Sequence, residues 1–224
     1  MTSIDGSVDE LSTLLKGSRA LDLSPNQVAR VLDFYRVLLA GNARQNLTRL
    51  TTPMQFFEGH LLDVVELHAS GTLQFPAADW GSGCGVPGLL YSAVYGGDWV
   101  LVESEKAKAA FLAEAVEELG LSSSTRVYVG RGEDFLKKER AGSLVARAVG
   151  PVERFWGWAE KSSTWNNLVL LKAKSWDQEW DEFKRKQKKS TWQIQKTHAY
   201  EVGPEKIQRK IVSIVPRGTN SSKQ

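Results

Sequence analysis

Along residues 1–70 the apolar positions recur at helical spacing. Val28, Val31, Leu32, Tyr35, Leu38 and Leu39 fall on one face, with Ser24-Pro25 in front as N-cap and first-turn proline, and Gly41 is expected to close the helix. A shorter helix is predicted over Val8–Lys16. Another follows Thr51-Thr52-Pro53 and turns Phe56, Phe57, His60, Leu61, Val64 and Leu67 inward. Residues 1–70 therefore read as a helical cap whose apolar side chains are mostly core.

From Pro76 onward the period changes. Apolar runs at Phe75–Ala78, ending in Asp79, and at Trp99–Val102 read as strands, with a helix between them that starts near Pro87. Then come a helix Ala107–Leu119 closed by Gly120, a strand Thr125–Val129, a helix Glu133–Lys138, a strand Ser143–Arg147, a helix Val152–Lys161 and a strand Asn167–Leu171. Thr191–Val202 and Lys206–Val215 read as two long antiparallel strands around Gly203-Pro204. Alternating β and α elements predict an α/β fold, a parallel sheet covered on both faces, with ligands at the carboxyl ends of the strands. The expected division is a cap over 1–70, a sheet domain over 71–217 and a disordered tail over 218–224.

Asp79-Trp80-Gly81-Ser82-Gly83-Cys84-Gly85-Val86-Pro87-Gly88 joins the first strand to its helix. Glycine lets the chain take positive φ and lets a ligand approach the backbone closely. A strand ending in a carboxylate before such a turn offers an acceptor and bare N–H groups to a nucleoside. Two patterns overlap here. Gly83-x-Gly85-x-x-Gly88 satisfies the dinucleotide fingerprint, with Glu103 near the roughly 20-residue offset of a ribose-binding acid. Asp79-x-Gly81-x-Gly83-x-Gly85, with Glu103 ending the next strand, resembles instead the S-adenosylmethionine site of class I methyltransferases. There the first acid works around the methionine end and the second holds the ribose hydroxyls. A closing antiparallel hairpin is also what that class adds to its sheet.

Composition narrows the classes. The chain has 224 residues, 42% of them hydrophobic, which suits one cored domain with a small appendage. No apolar run approaches the ~20 residues of a membrane span, and Met1–Gly6 lacks the basic-then-apolar pattern of a secretory signal, so a cytoplasmic protein is expected. Cys84 is the single cysteine, which excludes an intrachain disulfide and a zinc cluster, and no metal is expected. The net charge of +3 is uneven: residues 1–150 hold 14 basic against 18 acidic side chains, and residues 151–224 hold 15 against 8. Lys184-Arg185-Lys186-Gln187-Lys188-Lys189 lies near Trp176, Trp180 and Trp192. That segment reads either as a phosphate-binding, base-stacking surface or as a solvated helix face followed by a loop.

Together these motifs resemble the small-subunit (16S) ribosomal RNA guanine-N(7) methyltransferases, the RsmG family, also called GidB or glucose-inhibited division protein B, over roughly residues 10–215. Asn46-Leu47-Thr48 looks like the family's Asn-Leu-Thr, and His60-Leu61-Leu62-Asp63 like its His-Ile-Leu-Asp. Asp79 through Gly88 is similar to its Asp-x-Gly-Ser/Thr-Gly-x-Gly-x-Pro-Gly. Glu103-Ser104 stands for its Asp-Ser, Arg131-Gly132-Glu133 for its Arg-x-Glu, and Arg147-Ala148 for part of its Ser-Arg-Ala. Gly59 replaces the family's Arg before His, and Trp80 and Cys84 fill positions that usually hold smaller or aliphatic residues. The resemblance implies a Rossmann-like class I fold with a mostly parallel seven-stranded sheet, a C-terminal antiparallel hairpin and the helical cap. It implies S-adenosyl-L-methionine as cofactor, with Asp79, Gly81, Gly83, Gly85, Val86 and Glu103 around its methionine and ribose. It places Gly132 and Glu133 at the adenine, and Arg147 at the edge of the methionine pocket or the incoming RNA. As residues alone, Glu133 also reads as a helix N-terminal acid, and Arg147 as a structural partner of Asp79 or Asp63.

The chemistry restricts the target independently. Methylation of exocyclic amino groups of adenine or cytosine goes with an Asp/Asn/Ser-Pro-Pro-aromatic motif, and the chain has no Pro-Pro pair. Methylation at carbon five of a pyrimidine needs a nucleophilic cysteine, and Cys84 sits inside the glycine turn. Guanine N7 needs neither, because its lone pair is unprotonated at neutral pH. In-line displacement on a sulfonium methyl, helped by alignment and electrostatics, is then sufficient. The methylated ring is cationic, so acceptors nearby are useful. Asn46 and Asp63 are the candidates, beside Arg147; His60 either orients the base or is core, and His68 and His198 show no partner pattern. The expected partner is 16S rRNA or a small-subunit precursor, with no membrane. Competing readings are a nicotinamide-dependent oxidoreductase using Gly83–Gly88, an RNA-binding protein without cofactor, and a methyltransferase of a small molecule or protein.

Overall fold

Two prolines preceded by hydroxyl residues set the cap helices. In the computed structural model, which describes residues 3–17 and 21–216, Ser24 caps α2 (Pro25–Arg44) after α1 (Ile4–Gly17), and Thr52 caps α3 (Pro53–Phe56). Each cap is reciprocal, with Gln27 or Gln55 three residues on returning the hydrogen bond. Gly41 does not end α2, which runs on to Arg44. A Cβ at Gly41 would fall on the Phe111 ring, so this glycine serves close packing rather than termination. After α3 the helix widens into a π-turn, Phe57–Leu61, and α4 (Leu62–Ser70) resumes the normal pitch.

The sheet region runs β1 (Ala77–Trp80), α5 (Gly88–Tyr95), β2 (Trp99–Glu103), α6 (Lys106–Glu118), β3 (Thr125–Val129), α7 (Gly132–Lys138) and β4 (Ala141–Arg147). It continues with α8 (Val152–Ala159), β5 (Trp165–Ala173), α9 (Trp176–Lys186), β6 (Trp192–Val202) and β7 (Ile207–Pro216). The strand order is β3-β2-β1-β4-β5-β7-β6. The first five strands are parallel, and β7 is antiparallel to both β5 and β6. This is the expected mostly parallel seven-stranded α/β sheet with its closing hairpin. Most bounds fall within two residues of those predicted, and α1 begins four residues early. A dinucleotide fold places a sixth parallel strand where β7 enters antiparallel, so the nicotinamide alternative has no second nucleotide-binding half. The tail 218–224 lies outside the described residues.

Two apolar layers sandwich the sheet. On one face Leu38, Phe56, Leu61 and Val64 of the cap join Leu89, Phe111 and Val145 in a single core, so residues 1–70 share their interior with the sheet. On the other, Phe135, Phe155, Trp176 and Trp192 cover Trp80, Leu144 and Leu170. Each such side chain, fully buried, contributes about 1.5–3 kcal/mol. Trp176 and Trp192 are each 1% exposed, and Trp180 stacks on Trp176 at 5.6 Å. Trp176 and Trp192 are therefore spent on packing, which leaves half-buried Trp180 as the one ring of the three beside the basic run that keeps exposed surface. β1 lies between β2 and β4, where the strand order reverses, and its carboxyl end opens the crevice in which such sheets bind ligands.

Candidate active site

Asp79 and Trp80, adjacent on β1, point to opposite faces. Asp79 is 1% exposed; its Oδ2 accepts the Gly88 N–H at 3.0 Å, while Oδ1 has no partner. Burial pushes this acid up to about 6. A Cβ at Gly88 would lie 2.7 Å from the Asp79 Cβ, so only glycine admits the carboxylate beneath α5. In the turn that follows, φ is +74° at Gly81 and +54° at Gly83. The Gly83 N–H donates to Glu103 Oε2 at 3.0 Å and the Glu105 N–H to Oε1 at 2.8 Å, which ties the end of β2 to the turn. Gly85 packs against Leu89 and Leu112 and lines no cavity here.

Two cavities meet at Gly81. The larger, about 630 Å³, is lined by Gly81, Gly83 and Val86 and, across from them, by Thr48, Asp63 and Arg147. The smaller, about 100 Å³, is lined by Gly132 and Glu133 with Trp80 and Trp158. Val149 stands between them, its Cγ2 at 2.9 Å from where a Gly81 Cβ would be. The strap that carries Val149 has φ +58° at Ala148 and +144° at Gly150. Arg154 Nη1 donates to the Val149 carbonyl at 2.9 Å, and Lys172 Nζ to the Gly150 carbonyl at 2.9 Å. Lys172 also pairs with Glu179 at 2.8 Å, so its ammonium anchors the strap.

Side chains from three distant strands converge on Asp63, which is 4% exposed. Arg147 Nη1, at the end of β4, donates to its Oδ2 at 3.1 Å. Arg209 Nη1 on β7 and the Tyr200 hydroxyl on β6 donate to Oδ1 at 2.5 and 2.8 Å. The π-turn supplies further acceptors: the Gly59 carbonyl takes Arg147 at 2.6 Å and the Glu58 carbonyl takes Arg209 at 3.2 Å. Arg147 Nη2 lies 2.9 Å from His60 Nδ1, and His60 Nε2 lies 3.2 Å from Thr48 Oγ1. Burial first, then Arg147, push His60 down to about 3. Burial and Asp63 push the Tyr200 hydroxyl up, and burial raises the Cys84 thiol.

Of the sequence candidates, Gly81, Gly83, Val86, Asp63 and Arg147 line the large cavity, and Gly132 and Glu133 the small one. Asp79 and Glu103 sit behind the turn. Arg147 pairs with Asp63, not Asp79. Asn46 is exposed and lines neither cavity; its loop is held by Asn42 Oδ1, which accepts the Leu47 and Thr48 N–H groups, each at 2.9 Å. Arg209 and Tyr200 were not foreseen, being 146 and 137 residues from Asp63. His68 stacks on Tyr95 at 3.8 Å and His198 meets Glu66 at 2.6 Å, partners that spacing did not reveal. Among the described residues there is no cluster of three metal-ligating side chains, and no helix long and apolar enough to cross a membrane.

A sheet ordered β3-β2-β1-β4-β5-β7-β6, with an acid-and-glycine turn at its switch point and a second acid closing β2, defines a class I methyltransferase. The N-terminal domain of human METTL16, solved in complex with SAH, shares this fold: its TM-score is 0.54 over 96% of this chain and 83% of that one, at 15% identity. The profile described as rRNA small subunit methyltransferase G matches residues 27–212, and the chain belongs to that family. Proteins named ribosomal RNA small subunit methyltransferase G are similar to it. That of Dichelobacter nodosus is 31% identical over 167 residues, 71% of this chain and 77% of the relative. That of Nitrosomonas europaea is 37% identical over 131 residues, 57% of this chain and 59% of the relative. The chain thus spans less than two thirds of the second relative.

Proposed function

We propose that this chain transfers the methyl group of S-adenosylmethionine to N7 of a guanine in the 16S RNA of the small ribosomal subunit. One observation carries the choice of atom: among the described residues, the large cavity offers no free general base and no activated nucleophile. His60 spends Nδ1 on Arg147 and is not protonated near neutrality. Asp63 is engaged by two arginines and a tyrosine, and the Cys84 thiol is raised by burial. A target that must lose a proton, or be attacked first by a thiolate, has no helper here. Guanine N7 carries an unprotonated lone pair and requires none.

The residues present fit the methyl donor. Asp79 keeps one buried oxygen unpartnered, the turn carries no Cβ at Gly81 or Gly83, and Gly81 borders both cavities. Gly81, Gly83 and Val86 at the cavity wall are proposed to hold methionine and ribose, with Asp79 and Glu103 as the acids of the turn and Gly85 shaping it from behind, and Gly132 and Glu133 to hold the adenine. When bound, the donor supplies a sulfonium methyl that a ring nitrogen takes in one displacement. The chain's part is alignment and exclusion of water. Arg147 spends three of its five N–H groups on Gly59, Asp63 and His60, and the other two remain for a carboxylate or phosphate. Asp63 is then a positioning residue for Arg147, and exposed Asn46 a contact for RNA at the rim. The test incubates the purified chain with methyl-labelled S-adenosylmethionine and small subunits lacking the mark, followed by borohydride and aniline, which cleave at 7-methylguanosine. Label with a new cut at a guanine is expected; no label, or label without a cut, refutes the reading.

A further inference from the structure

Building on the guanine-N7 reading, we propose that Thr48 recognises the target base by donating a hydrogen bond to guanine O6, with its donor role imposed by the relay Arg147–His60–Thr48. The direction of each bond is forced. Arginine has only donors, so Arg147 Nη2 at 2.9 Å makes His60 Nδ1 an acceptor. A neutral imidazole that accepts at Nδ1 carries its proton on Nε2, and that N–H donates to Thr48 Oγ1 at 3.2 Å. The Leu50 N–H donates to the same oxygen at 3.1 Å. A hydroxyl has two lone pairs and one proton. Both lone pairs are taken, and no described residue accepts the proton.

Thr48 lines the large cavity together with His60, Gly81 and Val86, and its backbone is fixed by the bond from its N–H to Asn42 Oδ1 at 2.9 Å. Guanine presents two acceptors side by side on one edge, N7 and O6, whereas adenine presents N7 beside an amino donor. A rotor free to accept as well as donate would satisfy both purines. With its lone pairs occupied, Thr48 matches guanine and sets a proton against the adenine amino group. The relay begins at a guanidinium that stays charged throughout the working pH range, so the polarity does not switch.

The test compares Thr48→Val, which keeps the shape, with Thr48→Ser, which keeps the hydroxyl. Each is assayed on small-subunit RNA carrying either guanine or 2-aminopurine at the target site; 2-aminopurine retains N7 and lacks O6. Thr48→Val is expected to lose ~10-fold or more in kcat/KM on guanine, with S-adenosylhomocysteine affinity unchanged within about twofold, and Thr48→Ser to recover most of the rate. The unmodified chain should lose a similar factor on 2-aminopurine, and Thr48→Val should add little to that loss, because both remove one bond. A wild-type rate for Thr48→Val, or losses that multiply in the combination, overturns the proposal alone. Absence of guanine methylation by the unmodified chain overturns the functional reading, and this proposal with it.

Discussion

The glycine turn after β1 and the lattice around Asp63 face one cavity but are built by different means. The turn lies within residues 79–103 and works through backbone N–H groups, absent Cβ atoms and two acids on neighbouring strands. The lattice draws Thr48, His60, Asp63, Arg147, Tyr200 and Arg209 from a loop, a helix and three strands, and works through side chains alone or through carbonyls freed at a π-turn. Each half buries a carboxylate, and the two carboxylates differ. Both Asp63 oxygens are bonded, whereas Asp79 leaves one bare. A saturated carboxylate holds structure together; a bare one is destabilising until a ligand supplies its partner.

Removing Asp63 should therefore do the most damage. Asp63→Ala leaves Arg147 and Arg209 without their counter-charge and is expected to cost roughly 3–5 kcal/mol, the range for breaking a buried ion pair from one side. Urea unfolding measures it, and a decrease below about 1 kcal/mol would show that the lattice contributes little. Asp79→Asn should act in the opposite direction. The folded acid is raised from 3.8 to about 6, so the stability it contributes is fully present below pH 3.8 and is lost as pH rises through 6. That loss amounts to roughly 3 kcal/mol at 1.36 kcal/mol per unit. Asp79→Asn is expected to unfold with the wild type near pH 3.5, to be the more stable protein at pH 8, and to bind S-adenosylhomocysteine more weakly. His60 works with the other sign: lowered from 6.5 to about 3, it contributes stability above pH 6.5 that is lost as pH falls toward 3. The Asp79→Asn minus wild-type difference cancels it.

Legibility follows the same division. The turn could be read because its pattern is contiguous: acid, three alternating glycines, proline, then a second acid at the end of the next strand. Ser24 was equally plain, since capping is local, and Thr51-Thr52-Pro53 marked where the next helix begins. Gly41 misled because helix ends and tight helix packing both select glycine, and a neighbour 70 residues away in the chain decides between them. The π-turn left no trace in the hydrophobic pattern, for Phe56, Leu61 and Val64 are buried as an uninterrupted helix would require. Yet this widening aims the Glu58 and Gly59 carbonyls at the two arginines and turns Asp63 from an apparent substrate acceptor into a filled one. Trp176 and Trp180 are one helical turn apart whether the rings face a core or an RNA, and only the fold of α9 onto the sheet shows Trp176 buried and Trp180 half-buried beside it.

Within the turn, two glycines separate backbone conformation from side-chain crowding. A residue with a Cβ at positive φ costs about 1–2 kcal/mol, which both Gly81→Ala and Gly83→Ala should show in folding or ligand affinity. At Gly83 the new Cβ meets nothing nearer than the Gly81 carbonyl at 3.7 Å, whereas at Gly81 it meets Val149 at 2.9 Å. Gly81→Ala is thus expected to weaken S-adenosylhomocysteine binding by ~10-fold more than Gly83→Ala, since about 1.4 kcal/mol is a factor of ten. Shortening the neighbour in Val149→Ala should narrow that gap; equal effects of the two glycine changes would mean that the strap does not press on the turn.

The smallest effect belongs to the basic end of α9, which tests whether RNA also reaches the face of the sheet opposite the cap. Arg185, Lys188 and Lys189 are exposed and make no ion pair among the described residues, whereas Lys186 is paired with Glu182 and Glu153, and Lys184 lies over Trp180. Ser175, just before α9, lines the large cavity. The 11 residues of the helix carry the chain about 16 Å, at ~1.5 Å each, from that rim to the charges. RNA whose guanine enters the cavity would have to extend that far, toward the start of β5 where Trp192 meets Trp165, to set phosphates against this end. Converting Arg185, Lys188 and Lys189 to Gln is expected to leave S-adenosylhomocysteine affinity and melting unchanged. It should lower the slope of log affinity for RNA against log salt by about 0.7–0.9 for each phosphate no longer neutralised, up to roughly 2–3 in all. An unchanged slope would turn the approach of RNA toward the cap helices, leaving Asn46 and Arg147 as the residues to test next.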